Sequence, residues 1–445
     1  MDSHSGSGCG GLLDEDEPFV GSYFVSAYPP FSTWTKNELH HVERVLDAPS
    51  PGRVAFGLYV HVPFCVERCR YCYYLSYDDK SFSYVDAYLD AVVRELTQYR
   101  HRPAFSDRKP SFVYFGGGTP SLLPTPTIER FLGRLQAILP WSHAEEVTFE
   151  CAPRSVTREK MQTLRDGGVT RVSLGVQQLN DEVLQRNGRV HRVADIERAY
   201  ECIRSAGFRV VNIDLMVGLV GETAATIFET LERVVRMQAD SVTIYQLEIP
   251  HNTPLYQALH AGTLPVPPAD WAVKHQRLLE SFSRLEQAGY VLRSAYTAVR
   301  DPVAHQFVYQ DAQYFGADLL GLGAASFSYL NGVHFQNLAS FHAYVDRVRS
   351  GALPAARAYG LDEEDRLIRE FVLQLKLGAV SAKHFHEKFG ADILARFADT
   401  LAACSQRGWL TFDADGVTLT RDGLVRVDRM IPAFYAQRHR GVRYS

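Results

Sequence analysis

Three cysteines fall within eight residues, in the run His61-Val62-Pro63-Phe64-Cys65-Val66-Glu67-Arg68-Cys69-Arg70-Tyr71-Cys72. Three thiolates on one short loop can take three corners of a cubane iron–sulfur cluster and leave the fourth iron open to a small molecule. A closed zinc site would need a fourth ligand, and no second Cys or His pair of suitable spacing appears. The spacing therefore favours a cluster at Cys65, Cys69 and Cys72 over zinc or unmodified thiols. The other four cysteines, Cys9, Cys151, Cys202 and Cys404, are scattered and read as free thiols or small core residues.

Further candidates lie at regular intervals downstream. Gly116, Gly117, Gly118 and Thr119 form a run in which backbone groups could approach a ligand's polar end, although a bare turn explains three glycines equally well. Glu150 is a carboxylate suited to cationic or hydroxyl-bearing groups, or else a solvated surface acid. Arg189 has the fixed fork that suits a carboxylate, with a structural ion pair as the alternative; Asp214 suits ammonium or ribose hydroxyls.

The elements that must position these groups are legible as alternating short β-rich runs and amphipathic stretches from about residue 55 onward. Strands are predicted at 56–62, 112–115, 146–150, 171–176, 210–216 and 242–247, with helical spacing over 84–99, 128–139 and 225–237. Six βα units fit an open doubly wound sheet or a partial barrel. In either, the carboxyl ends of the strands gather on one face. Tyr59 and His61 lie near the end of the first strand, the glycine run follows the second, Glu150 ends the third, Gln177 follows the fourth and Asp214 ends the fifth. Beyond residue 360, helices at 362–377, 382–389 and 393–406 precede a small hairpin and a last helix, a winged-helix-like order.

Composition bounds the rest. With 445 residues, 46% hydrophobic, 47 Lys and Arg against 51 Asp and Glu and a net charge of -4, the chain reads as a large folded domain with appendages. It shows no broad basic footprint for nucleic acid. Seven cysteines, an odd number, argue against a secreted disulfide framework. Asp14, Glu15, Asp16 and Glu17 stand where a signal peptide would need a basic start, and no apolar run is long enough to span a bilayer, so a cytoplasmic protein without a membrane partner is expected.

The Cys-x3-Cys-x2-Cys loop preceded by Tyr59-Val60-His61-Val62-Pro63-Phe64 resembles the radical S-adenosylmethionine (SAM) superfamily. It is most similar to the branch of oxygen-independent coproporphyrinogen III oxidases, heme-chaperone relatives and class C radical methyltransferases. The resemblance runs from about residue 23 to 435 through Gly116-Gly117-Gly118-Thr119-Pro120, Glu150-Cys151-Ala152-Pro153-Arg154, Ser173-Leu174-Gly175-Val176-Gln177, Arg189, Asn212-Ile213-Asp214-Leu215, and Gly321-Leu322-Gly323 leading to Gln336-Asn337. It implies a partial (β/α)6 barrel over 51–300, an N-terminal tail and covering extension over 1–50, a barrel-closing connection over 301–360 and a C-terminal winged-helix-like domain over 361–445. It further implies a [4Fe-4S] cluster and one or two molecules of S-adenosylmethionine, cleaved to methionine and a 5'-deoxyadenosyl radical. A small-molecule substrate, a flavodoxin- or ferredoxin-type electron donor and a monomeric state complete the expectation.

On the same resemblance, Tyr59 is the catalytic candidate beside the sulfonium or the cluster iron. Tyr59, Tyr71, Gly117, Gly118, Thr119, Glu150, Gln177, Arg189, Asp214, Leu247 and Phe327 are expected to bind cofactor; Gln177, Arg189 and Asp214 match positions that hold a second S-adenosylmethionine in the oxidases. Core packing is the equal alternative for Leu247 and Phe327.

Three departures bear on the reaction. The oxidases place a further cysteine two residues after the triad, where this chain has Tyr74. The heme chaperones carry His-Asn-x-x-Tyr-Trp, and the corresponding stretch here is His305-Gln306-Phe307-Val308-Tyr309-Gln310. The segment Tyr23-Phe24-Val25-Ser26-Ala27-Tyr28-Pro29-Pro30 is similar to the Tyr-Pro extension of the oxidases but lacks their arginine; it could cover the open face or simply cap the barrel bottom. Weighing these, the expected reaction is a class C methyl or methylene transfer to an unsaturated carbon, with oxidative decarboxylation of coproporphyrinogen III as the first alternative and heme handling as a further one.

Overall fold

A computed structural model describes residues 28–442, apart from residues 51, 53, 79 and 80. Cys9 and residues 23–27 of the aromatic extension lie outside the described residues.

The first six strands are β1 (Phe56–Val62), β2 (Phe112–Gly117), β3 (Glu146–Cys151), β4 (Arg171–Gln177), β5 (Val210–Val217) and β6 (Ser241–Gln246). Each pairs in parallel with the next. Helices 82–100, 125–138, 158–166, 193–206 and 224–237 cross back between them. Near-continuous runs such as Val210-Val211-Asn212-Ile213-Asp214-Leu215-Met216-Val217 suit strands covered on both faces.

Beyond β6 the sheet grows at both edges. β7 (Val291–Leu292) and β8 (Thr297–Val299) add antiparallel strands outside β6. On the other edge β9 (Asp318–Leu322) lies parallel to β1, and β10 (Phe327–Leu330), β11 (Val333–Asn337) and β12 (Ala355–Gly360) continue antiparallel, completing a 12-stranded sheet. The parallel core thus has a seventh member, β9, which sequence periodicity did not single out inside the Gly-rich stretch 316–332. Gly321 explains the composition: a Cβ there would collide with the carbonyl of Phe327 on β10.

The C-terminal module follows from helix 363–375. It comprises β13 (Ala379–Ser381), helix 382–389, helices 393–396 and 398–406, and the hairpin β14 (Leu410–Asp413) and β15 (Gly416–Leu419), which forms a three-stranded sheet with β13. Its core includes Phe371, Leu375, Phe385, Leu401, Trp409 and Phe434. Among the described residues no helix is long and apolar enough to cross a membrane.

Candidate active site at the barrel lumen

In each of the six crossover strands, burial is interrupted at a position that faces the barrel interior. Those half-buried residues are Tyr59 on β1, Tyr114 on β2, Glu150 on β3, Gly175 on β4, Asp214 on β5 and Tyr245 on β6. Register keeps them adjacent. Tyr59 pairs with Tyr114, Glu150 pairs with Ser173 two residues below Gly175, and Gly175 pairs with Asp214. The candidates named on separate strands therefore line one lumen.

The cysteine loop covers the top of β1. Val62 to Gly117 is the last pair of the β1–β2 ladder, the Gly118 N–H donates to the Val62 carbonyl at 3.0 Å and the Thr119 N–H to the Phe64 carbonyl at 2.8 Å. A Cβ on Gly118 would come within 2.8 Å of the backbone atoms of Val62 and Phe64, so glycine is what lets the two segments touch. The loop is also pinned from outside: Cys65 N–H donates to Tyr77 O at 2.9 Å, Arg70 N–H to Asn187 O at 3.3 Å, and Leu255 N–H to Arg70 O at 2.8 Å. Arg68 closes it internally by donating to the Cys72 carbonyl at 2.8 and 3.1 Å.

The thiols of Cys65, Cys69 and Cys72 are free and half-buried. Thr119 Oγ1 donates toward Cys65 Sγ at 3.7 Å and Arg189 Nη1 toward Cys69 Sγ at 3.2 Å. Burial pushes the Cys72 thiol up to about 11 and also raises Cys65. Buried thiols with polar donors aimed at sulfur suit thiolates bound to a metal centre. Among the described residues no three His, Cys, Asp or Glu groups converge on a single ion. A cubane cluster does not require that convergence, because each thiolate takes a different iron, whereas a tetrahedral zinc does.

Around the lumen the polar groups are arranged in sequence. Glu150 accepts from Tyr114 O–H at 2.7 Å and from the Gly117 N–H at 3.2 Å. Burial raises its carboxyl to about 7, against the pull of the Tyr114 hydrogen bond and helped by the charge of Asp214. Asp214 accepts from Ser173 and from Asn212 Nδ2, each at 2.8 Å, and burial still raises it to about 6. Gln177 sits at a bulge in the β4–β5 register with φ +67°, a strained conformation for a side-chain-bearing residue, and its Oε1 is buried without a partner. The Tyr71 hydroxyl and Arg189 Nε are likewise buried without partners. Orphaned polar atoms gathered beside three thiols and two raised carboxyls mark a place built for a polar ligand.

Tyr59 is placed differently from a proton-transfer group. His61 Nε2 lies 3.1 Å from the Leu75 carbonyl, which can only accept, so Nε2 carries the hydrogen and Nδ1 accepts from Tyr59 O–H at 3.2 Å. Burial holds the His61 ring neutral, near 4, and the Tyr59 phenol well above its ordinary value. Tyr59 therefore offers its ring, stacked 5.9 Å from Tyr114, as a wall of the lumen.

Two candidates stand apart from this group. Leu247 is fully buried among Val183, Met216, Leu219, Val220 and Leu255, with Tyr71 packed against that cluster. Phe327 stacks on Phe31 at 4.4 Å and touches the lumen wall through Gly321, which pairs with Tyr59. His305 lies at the opposite end of the barrel, 3.8 Å from Asp240 just before β6. The following residues seal the floor: Phe307 takes the Arg171 guanidinium on its face at 4.5 Å, and Tyr309 packs 4.4 Å from Tyr114.

Sequence reasoning did not pick out Tyr114, Tyr245 or Tyr73, whose ring stacks at 4.6 Å on that of Tyr74 with hydroxyls 3.4 Å apart. The signal for Tyr114 was available, as a lone polar ring within the otherwise apolar run Phe112–Phe115.

Two family models match the chain: the radical SAM superfamily over residues 59–234 and the HemN C-terminal domain over residues 361–426. The chain is 28% identical over 384 residues to the heme chaperone HemW of Bacillus subtilis, covering 85% of this chain and 99% of that protein. It is also 28% identical over 404 residues to the oxygen-independent coproporphyrinogen III oxidase of Helicobacter pylori, covering 85% of this chain and 86% of the relative. In fold it is similar to the coproporphyrinogen III oxidase HemN of Escherichia coli, a radical SAM enzyme, with a TM-score of 0.79, 24% identity, and 92% and 96% of the two chains covered.

Proposed function

This chain belongs to the radical SAM superfamily, and on that premise we propose that it is an oxygen-independent oxidase of the coproporphyrinogen III type, converting a propionate side chain to a vinyl group. The family implies a [4Fe-4S] cluster at Cys65, Cys69 and Cys72 and S-adenosylmethionine beside it. The class C methyl transfer expected from the sequence gives way to what had been its alternative, because the relatives are oxidases and heme chaperones.

The observation that carries the proposal is the convergence of Glu150, Gln177, Arg189 and Asp214 on one lumen whose floor is sealed by Phe307 and Tyr309. When bound, the cluster and S-adenosylmethionine supply a hydrogen-abstracting carbon radical by one-electron cleavage of the sulfonium. This chain's residues do the rest. The Gly117–Thr119 carbonyls, whose own N–H groups are taken by Glu150, Val62 and Phe64, would receive the methionyl ammonium. Glu150 and Asp214 would meet cationic and hydroxyl groups, and the unpartnered Arg189 Nε and the Gln177 amide would offer donors to a carboxylate. The tyrosine-lined wall keeps water away from a reacting carbon. In the reaction, a propionate loses one hydrogen atom; the carboxylate then leaves as carbon dioxide, and one electron passes to a one-electron acceptor.

A second reading, heme handling, is supported by the likeness to the heme chaperone HemW of Bacillus subtilis, matched over 99% of its length, while Tyr74, standing where the oxidases have their additional cysteine, weakens the oxidase reading. Against it, Gln306 and Gln310 stand where the chaperone motif opened by His305 has Asn and Trp. Heme titration of the anaerobic, cluster-loaded protein separates the two readings. Stoichiometric heme binding without any 5'-deoxyadenosine release in the presence of coproporphyrinogen III would replace the oxidase proposal with the chaperone one.

A further inference from the structure

Arg189 sits where the cysteine loop meets the lumen wall. It follows Gly188 in the turn between helices 181–186 and 193–206. Gly188 has φ +73°, and a Cβ there would lie 3.2 Å from Arg70 N and 3.7 Å from Cys69 Cα, so glycine lets this turn rest directly on the cysteine loop. The turn is rigid, since the Asn187 side chain donates to the carbonyls of Val183 at 2.8 Å and Val220 at 3.0 Å and accepts from the Val220 N–H at 3.1 Å.

From this base the guanidinium fork divides. Nη2 donates to the Gly175 carbonyl at 2.7 Å, and Nη1 donates to Cys69 Sγ at 3.2 Å. Among the described residues no carboxylate forms an ion pair with Arg189. A buried guanidinium is costly without a counter-charge, and the sulfur of a cluster thiolate is the anionic group that its geometry reaches.

We infer that Arg189 is a positioning residue that sets the reduction potential of the cluster, through a charged N–H···S hydrogen bond to the Cys69 sulfur. Reduction adds one electron whose charge is shared with the sulfurs. A cationic donor beside one sulfur stabilises the reduced state more than the oxidised one and raises the potential. The Gly175 carbonyl fixes the other arm of the fork, so the donor is held in place when the cluster charge changes. Lysine, a single point donor, cannot bond the Gly175 carbonyl and the Cys69 sulfur in the same planar arrangement. The inference concerns the cluster alone and holds whichever substrate the enzyme takes.

The test is a dye-mediated redox titration of the full chain, reconstituted anaerobically without substrate or S-adenosylmethionine and followed by the electron paramagnetic resonance signal of the reduced cluster. Midpoint potentials should fall in R189K and fall further in R189Q. Variants that keep the cluster at the wild-type potential would overturn the inference. Should either variant lose its cluster, pulsed resonance on wild-type protein carrying 15N-arginine gives a second readout. A nitrogen coupling to the reduced cluster that survives in R68K is expected, and its absence from the wild type or its loss in R68K would overturn the assignment to Arg189.

Discussion

Glu150 shows what the lumen asks of a single side chain. Burial raises its carboxyl to about 7 from an ordinary value of 4.5. Between those values the folded protein binds more protons than the unfolded chain, so stability without ligand should fall as pH rises through that window, by up to about 3 kcal/mol. Asp214, raised to about 6, acts in the same direction. Denaturation at pH 5 and pH 8 should show the decline in the wild type and a weaker one in Glu150→Gln; an equal slope in both would remove Glu150 as its source. On the reading that Glu150 meets a cationic group of S-adenosylmethionine, binding should strengthen with pH up to about 7 and release a proton. Calorimetry in two buffers of different ionisation enthalpy measures that release. At the thiols, replacing any of Cys65, Cys69 or Cys72 with Ala should abolish the brown iron–sulfur absorbance, checked by iron and sulfide content. The thiols, Glu150 and Asp214 were legible because each is a chemically distinctive residue in a marked position. Tyr114 and Tyr73 were not singled out, because aromatic rings in or near strands are ordinarily core, and Tyr74 drew notice only as the place of a missing cysteine.

At the scale of the element, the fold rests on close approaches between the cysteine loop and the strands beside it. Gly118→Ala would press a methyl group against the backbone of both Val62 and Phe64. A loss of roughly 1–3 kcal/mol in stability is expected, of the kind overpacking causes. Cluster content should fall after reconstitution as well, while Gly133→Ala, inside helix 125–138 with nothing within 4 Å, should leave cluster content unchanged and raise stability by roughly 0.5–1 kcal/mol. The six crossover strands were visible in the sequence as β-rich runs with polar residues near their ends. β7 to β12 were not, since strands of two to six residues carry little periodicity, and Gly321 breaks what pattern β9 has. Burial against the sheet, rather than local propensity, makes them strands.

Across the whole molecule, the first described residues and the C-terminal module are tied together by Tyr28. Its ring is buried against Tyr435 at 4.7 Å, its hydroxyl donates to Asp365 at 3.1 Å and accepts from the Ala436 N–H at 3.3 Å. Tyr28→Phe should cost about 1–2 kcal/mol in chemical denaturation by leaving that N–H unpaired. Asp365 would keep its contacts with Arg438 and His439. Sequence resemblance suggested a covering extension but not this clasp, which joins residues more than 300 positions apart.

The central claim is that the lumen oxidises a propionate and does not transfer a methyl group. Anaerobic turnover with reduced cluster, S-adenosylmethionine and coproporphyrinogen III, followed by mass spectrometry, tests it most directly. The account predicts 5'-deoxyadenosine, methionine and a tetrapyrrole lighter by carbon dioxide and two hydrogens, with no S-adenosylhomocysteine; a methylated product together with S-adenosylhomocysteine would contradict it.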